Sequence, residues 1–267
     1  MPGYPGVLEA TFLGLVQGLT EFLPVSSSGH LVIFQDLMGI EEAGLTLDVL
    51  LHTGTLAAVI IVFRRDILNL LKGFFATFAG GSENAYKKTA WMIILASIPA
   101  GLAGIFFKDR IEHLFTDSGY AYFFLIITGL ILFTGKFFRR EKTDLIHITA
   151  LAAFVIGIAQ MTAILPGISR SGATITAALI MGVNREDAAR FSFLLMLPAV
   201  AGATFLEMMD ITGTGLSYTP LIAGFAVSVL SGYAAIKLLM GIIRKYKLHY
   251  FAYYCITVGV LGLVFIK

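Results

Sequence analysis

Residues 24–29 read Pro-Val-Ser-Ser-Ser-Gly, and residues 166–172 read Pro-Gly-Ile-Ser-Arg-Ser-Gly. Each polar, helix-breaking stretch sits between two apolar legs: 7–23 and 30–40 around the first, 147–165 and 173–183 around the second. The return legs are too short to cross a bilayer, since a spanning helix needs about 20 apolar residues. The pattern reads as two re-entrant helical hairpins whose tips sit near membrane depth. Irregular backbone is tolerable there only where it lines a cavity or is buried in protein.

Working outward, six segments have spanning length: 46–63, 89–107, 119–138, 188–210, 219–240 and 249–266. Composition agrees. Of 267 residues, 57% are hydrophobic and only 13% are charged, and mean hydropathy is +0.86. A soluble domain carries about 25% charged residues, so there is too little polar surface here to clothe a water-soluble globule. Disorder is excluded by the same figures. A net charge of +2 excludes a nucleic-acid binder built on a strong basic surface. The single cysteine, Cys255, allows no intramolecular disulfide. Residues 1–20 contain no Lys or Arg, so the N-terminus does not read as a cleaved secretory signal.

Six spans and two re-entrant pairs place both termini on one side. Fourteen Lys and Arg then fall on the opposite side (Arg64, Arg65, Lys72, Lys87, Lys88, Lys136, Arg139, Arg140, Lys142, Arg185, Arg190, Arg244, Lys245 and Lys247), against Lys108, Arg110 and Lys267 on the side of the termini. By the positive-inside rule the basic side is the cytoplasm, and both termini face out of it. The excursion 66–88 begins with Leu70, Leu71, Phe74, Phe75 and Phe78, the pattern of an amphipathic helix lying in the interface.

Displacing the chain by 143 residues brings Gly14 onto Gly157, Gln17 onto Gln160, Ser26 onto Ser169, Ser28 onto Ser171 and Gly29 onto Gly172, with Ser27 on Arg170. Each half, about 7–138 and about 147–266, is then one hairpin plus three spans. Three being odd, the second half is inserted upside down. The expected fold is an all-α polytopic membrane protein, a single membrane domain built as an inverted-topology repeat. Such repeats place a site near the midplane, where the halves meet.

The tips carry the chemistry. Gln17 and Glu21 share one face of the first leg, being i and i+4. Ser26, Ser27, Ser28 and His30 follow at its turn; Ser169, Arg170 and Ser171 form the second tip, with Thr174 one turn on. Each return leg is expected to start just after a glycine, with its N-terminus aimed at the tip, an arrangement that binds phosphate. A guanidinium grips phosphate bidentately. A carboxylate suits a hard divalent cation, Mg²⁺ or Ca²⁺, with Gln17 beside Glu21 as the other donor. An imidazole serves as general acid or base near neutral pH. The expected ligand is a lipid phosphate with its chain in the bilayer. Asp48 and His52, i and i+4, read mainly as a structural pair, with support of the site residues as the alternative; His113, His147 and His249 read as interfacial, and Lys237 as a snorkelling side chain.

Gln17-Gly-Leu-Thr-Glu21 with Pro24 to His30, and Pro166 to Thr174, resemble the two signatures of the bacitracin-resistance family of undecaprenyl-diphosphate phosphatases, and the resemblance covers essentially the whole chain. It implies hydrolysis of undecaprenyl diphosphate to undecaprenyl phosphate and inorganic phosphate. That reaction recycles the lipid carrier for cell-wall polymers and confers bacitracin resistance. It further implies that Glu21 is an acidic metal or catalytic residue, that His30 and Ser27 serve proton transfer and nucleophilic attack, and that Arg170 clamps the pyrophosphate amid Ser169, Ser171 and Thr174. The nucleophile stays open between Ser27, His30 and water. Some members have Glu where this chain has Gln17, so any metal rests on one carboxylate and a weaker amide ligand. The expected setting is a bacterial cell membrane. The expected partners are a polyprenyl diphosphate and membrane lipids, with no nucleic acid and with a homodimer as the oligomeric expectation. The rival reading is a polyprenyl-phosphate transporter or flippase using the same headgroup site.

Overall fold

A computed structural model describes residues 5–40, 44–78, 85–137, 143–210, 218–244 and 248–265. Arg139, Arg140, Lys142, Lys245, Lys247 and Lys267 of the charge count lie outside the described residues. Twelve α-helices occur among the described residues: α1 (Val7–Phe22), α2 (Ser27–Met38), α3 (Gly44–Val62), α4 (Arg64–Ala76), α5 (Ala85–Phe106), α6 (Lys108–Leu114), α7 (Ser118–Thr134), α8 (Ala150–Thr162), α9 (Arg170–Ile180), α10 (Arg185–Asp210), α11 (Tyr218–Ile243) and α12 (His249–Phe265). The only β-type pairing among them is an isolated bridge between Thr143 and Val183.

The chain is a helical membrane protein. Among the described residues three helices are long and apolar enough to cross a bilayer: α5, α10 through Phe205, and α11. Two bent pairs, α3 with α4 at 84° and α6 with α7 at 95°, raise the number to five if each pair is one span. At 17 residues, α12 reaches about 25 Å at 1.5 Å per residue. The periphery is apolar and open: Phe106 is 74% exposed, Leu230 69% and Phe265 76%. Water does not tolerate so wide an apolar surface, whereas lipid does.

Helix ends follow local chemistry. Thr149 caps α8 through a hydrogen bond from Ala152 N, and Asp117 caps α7 through one from Gly119 N. Gly39, at φ +64°, ends α2 in the left-handed conformation that glycine adopts without cost. The short α6 was not foreseen as a separate element. Asp109 in its first turn and His113 in its last complement the helix dipole.

The first leg of each hairpin packs on a distant helix: α1 lies on α11, and α8 lies on α5. Both contacts are backbone to backbone. A Cβ on Gly14 would sit 2.3 Å from the Gly224 carbonyl oxygen, and one on Gly157 would sit 2.6 Å from that of Ala96. Small residues permit such close approach where lipid supplies no hydrophobic drive for helix association. Between these layers Phe22, Phe63 and Phe193 form an aromatic cluster, with Phe22 and Phe193 edge-to-face at 5.4 Å.

At one end of the molecule Arg190 of α10 donates to Asp66 of α4 at 2.8 Å and to Asp187 at 3.3 Å, and Arg244 grips Glu186 with two nitrogens at 3.0 and 3.1 Å. Lys237 lies 5.7 Å from the Tyr233 ring centroid.

Candidate active site

Both hairpin turns are built alike. Ser26 accepts a hydrogen bond from Gly29 N at 3.3 Å and Ser169 one from Gly172 N at 3.1 Å. Each serine is therefore an N-cap, and each return helix starts at the next residue. This corrects the expectation that the helices start after the glycines. The cap hydroxyl needs the amide three residues on, so Gly29 and Gly172 lie inside the first turn. Ser27 and Arg170 become the first helical residues of α2 and α9.

The turns touch. A Cβ on Gly29 would lie 2.8 Å from the Gly167 Cα. Gly167 itself has φ +100°, and a side chain there would meet the Ala121 carbonyl oxygen at 2.4 Å; only glycine meets both conditions. Ser171 Oγ donates to the Leu23 carbonyl at 3.3 Å, tying the second turn to the first. Thr128 of α7 accepts from Ser169 N at 2.9 Å and donates to the Gly167 carbonyl at 2.7 Å. Ser26 stands at φ +69°, the one described non-glycine residue with positive φ.

At the junction lies Glu21, 6% exposed. Its Oε1 accepts from Arg170 Nη2 at 2.6 Å. Its Oε2 accepts from Gln17 Nε2 at 3.1 Å and from the Ser27 hydroxyl. Thus Ser27 and Arg170 occupy the two oxygens of one carboxylate. Arg170 also donates Nη1 to the Ser192 carbonyl at 3.3 Å. Thr174 donates to the Arg170 carbonyl at 2.7 Å and pairs with the Ser192 hydroxyl at 2.6 Å. Ser28 and Ser171 lie 3.3 and 3.2 Å from Ser26 and Ser169, hydroxyl to hydroxyl.

His30 stands apart from Ser27. Its Nδ1 meets the Ser26 carbonyl at 2.7 Å and its Nε2 meets the Tyr254 hydroxyl of α12 at 2.7 Å. One residue read mainly as a structural partner reaches the site. His52 is more than a partner of Asp48: its Nδ1 bonds the Asp48 carbonyl at 2.8 Å, while its Nε2 reaches to 3.8 Å from Glu21 Oε2. Ser192 and Tyr254 carried no sequence signal, because each joins the site from a distant helix.

For a metal, the donors are few. Among the described residues no three His, Cys, Asp or Glu side chains cluster. Gln17 Oε1, however, is buried without a partner, an oxygen turned to a place where a cation or water repays its desolvation.

Two capped helix N-termini, a guanidinium and a hydroxyl held on a carboxylate meet inside a helical membrane protein, and these are groups with which proteins grip phosphate. The family model described as bacitracin resistance protein BacA matches residues 10–261, and the chain belongs to that family. It is 46% identical over 271 residues to the undecaprenyl-diphosphatase of Desulfatibacillum aliphaticivorans, covering 96% of this chain and 98% of that one. It is 42% identical over 269 residues to the protein of the same name from Methanosphaera stadtmanae, with 97% of each chain covered.

Proposed function

We propose that the protein is an undecaprenyl-diphosphatase, releasing inorganic phosphate from undecaprenyl diphosphate, and that it confers bacitracin resistance. Family membership and the relatives' names support the reaction. One observation carries the site: Ser27 and Arg170, each the first residue of a capped helix, meet on the two oxygens of Glu21.

In this reading the diphosphate enters between the two helix N-termini and takes up Arg170. Ser27 Oγ attacks the terminal phosphorus while Glu21, already its hydrogen-bond acceptor, receives the proton. The bond from that phosphorus to the bridging oxygen breaks, and the electron pair leaves with undecaprenyl phosphate. Water then cleaves the serine phosphoester with His30 as base, and Ser27 regains its proton. Arg170 and the helix amides offset charge on the equatorial oxygens. Ser26 and Ser169 hold the turns, and Ser28, Ser171 and Thr174 line the headgroup site. Mg²⁺ is held typically by one or two carboxylates plus substrate phosphates; Glu21, the unpartnered Gln17 oxygen and the diphosphate fit that donor set. A divalent ion bound there would neutralise phosphate charge.

The wider arrangement belongs to the same proposal: six spans and two re-entrant hairpins in a bacterial cell membrane, two inverted halves, and both termini outside the cytoplasm. The crossed packing of α1 on α11 and α8 on α5 supports the repeat. The ion pairs of Arg190 and Arg244 at one end support a cytoplasmic face there. Crossed inverted repeats also suit a lipid transporter, so the test separates the two readings. Phosphate release from undecaprenyl diphosphate is measured for wild type, Arg170→Ala and Ser27→Ala, with Mg²⁺, Ca²⁺ or chelator. Release lost in Arg170→Ala supports the phosphatase. Lipid binding without release by folded wild type would overturn it in favour of transport.

A further inference from the structure

We infer that Tyr254 is the positioning residue of His30, fixing its ring orientation from the last helix. This rests on the role given to His30 above. A carbonyl oxygen only accepts, so the Ser26 carbonyl, 2.7 Å from Nδ1, obliges that nitrogen to carry the hydrogen. In the neutral ring Nε2 is then the lone-pair side, and the Tyr254 hydroxyl, 2.7 Å away, donates to it. The rings lie nearly parallel, 9° apart with centroids separated by 5.7 Å. Next to it, the Cys255 thiol donates to the Pro24 carbonyl at 3.7 Å. Two adjacent residues of α12 therefore address the first turn, and α12 itself is held on α7.

The arrangement has a functional direction. His30 is 4% exposed, whereas Tyr254 is 44% exposed. The only nitrogen of His30 able to take a proton thus faces the Tyr254 hydroxyl. A water or phosphate oxygen that uses His30 must approach Nε2 where Tyr254 holds it. Without that hydroxyl the Nδ1 anchor and the tautomer remain, but the second nitrogen loses its fixed partner and the ring loses a bond that aims it. A purely structural tyrosine would act on folding and leave kcat and the surroundings of Nε2 alone.

The experiment uses the full-length protein in mixed micelles with undecaprenyl diphosphate, comparing wild type, Tyr254→Phe, His30→Gln and the double variant. Tyr254→Phe keeps the ring and removes only the hydroxyl. The expected result is a fall in kcat of about tenfold or more with KM within about twofold, and no further loss when Tyr254→Phe is added to His30→Gln. In ¹⁵N-histidine spectra, with His30 assigned by its loss in His30→Gln, both proteins show the Nδ1–H tautomer, and the Nε2 signal shifts in Tyr254→Phe as it loses the donated hydrogen bond. Wild-type kcat in Tyr254→Phe, an equal loss in both backgrounds, or an unchanged Nε2 signal would overturn the inference. Wild-type turnover in His30→Gln would instead remove the role of His30 itself, and is read separately from the Nε2 signal.

Discussion

Arg170 reaches Glu21 across 149 positions of sequence to make a 2.6 Å contact, and that contact decides what either residue can do. A buried ion pair adds little net stability, because desolvating both charges offsets their attraction. Its value is placement. Arg170 keeps a fork of donors near the headgroup site, and lysine cannot reproduce a fork. Arg170→Lys is therefore expected to retain the fold but lower kcat/KM by roughly 100-fold, measured by phosphate release beside a melting curve. Gln17 offers a second test. Gln17→Glu puts a second carboxylate beside Glu21. The divalent concentration giving half-maximal activity should then fall by roughly tenfold, as read in a metal titration after chelation; an unchanged titration would argue against a cation at this position.

At the scale of the element, the hairpins were legible because Pro, Ser and Gly interrupt apolar legs of the wrong length for spanning. Their fine structure was less so. Glycine marks a turn, but the serine three residues earlier owns the cap, so α2 and α9 begin at Ser27 and Arg170. That shift is what puts those two residues at equivalent helical positions. Tyr254 escaped notice for another reason: i to i+4 spacing pairs residues on one helix, whereas Tyr254 meets His30 across 224 positions. The turn conformation is itself testable. Ser26 caps α2 while holding φ +69°. Ser26→Ala loses the cap and keeps the strain, and should cost about 1 kcal/mol or more. Ser26→Gly loses the hydroxyl but sheds the strain, so it should melt above Ser26→Ala in detergent. The reverse order would place the cap energy elsewhere.

At the scale of the molecule, α1 is held on α11 and α8 on α5 by the close approach of Gly14 to Gly224 and of Gly157 to Ala96. Adding a methyl group there forces the helices apart and should cost about 1–3 kcal/mol. Gly101, whose Cβ would meet nothing within 4 Å, is the control. Gly14→Ala and Gly157→Ala should lower the melting temperature in parallel, while Gly101→Ala should leave it unchanged or raised through helix propensity. Unequal losses at Gly14 and Gly157 would speak against equivalent interfaces in the two halves. The proposed repeat rests on few matching positions in the sequence; Glu21, for one, has Ile164 at the same offset.

The Glu21–Arg170 contact also bears on turnover. A guanidinium that already holds an internal anion releases it only to a stronger rival. A diphosphate, with more charge and more oxygens, competes better than the monophosphate left after cleavage. In the proposed reaction the carboxylate would act as a built-in ejector, retaking Arg170 as the product weakens its hold. Glu21→Gln should consequently bind undecaprenyl phosphate more tightly than the wild type does, even as it loses catalysis. Equilibrium binding of the product to both proteins would decide it, and weaker binding to the variant would show that Glu21 holds the product and does not expel it.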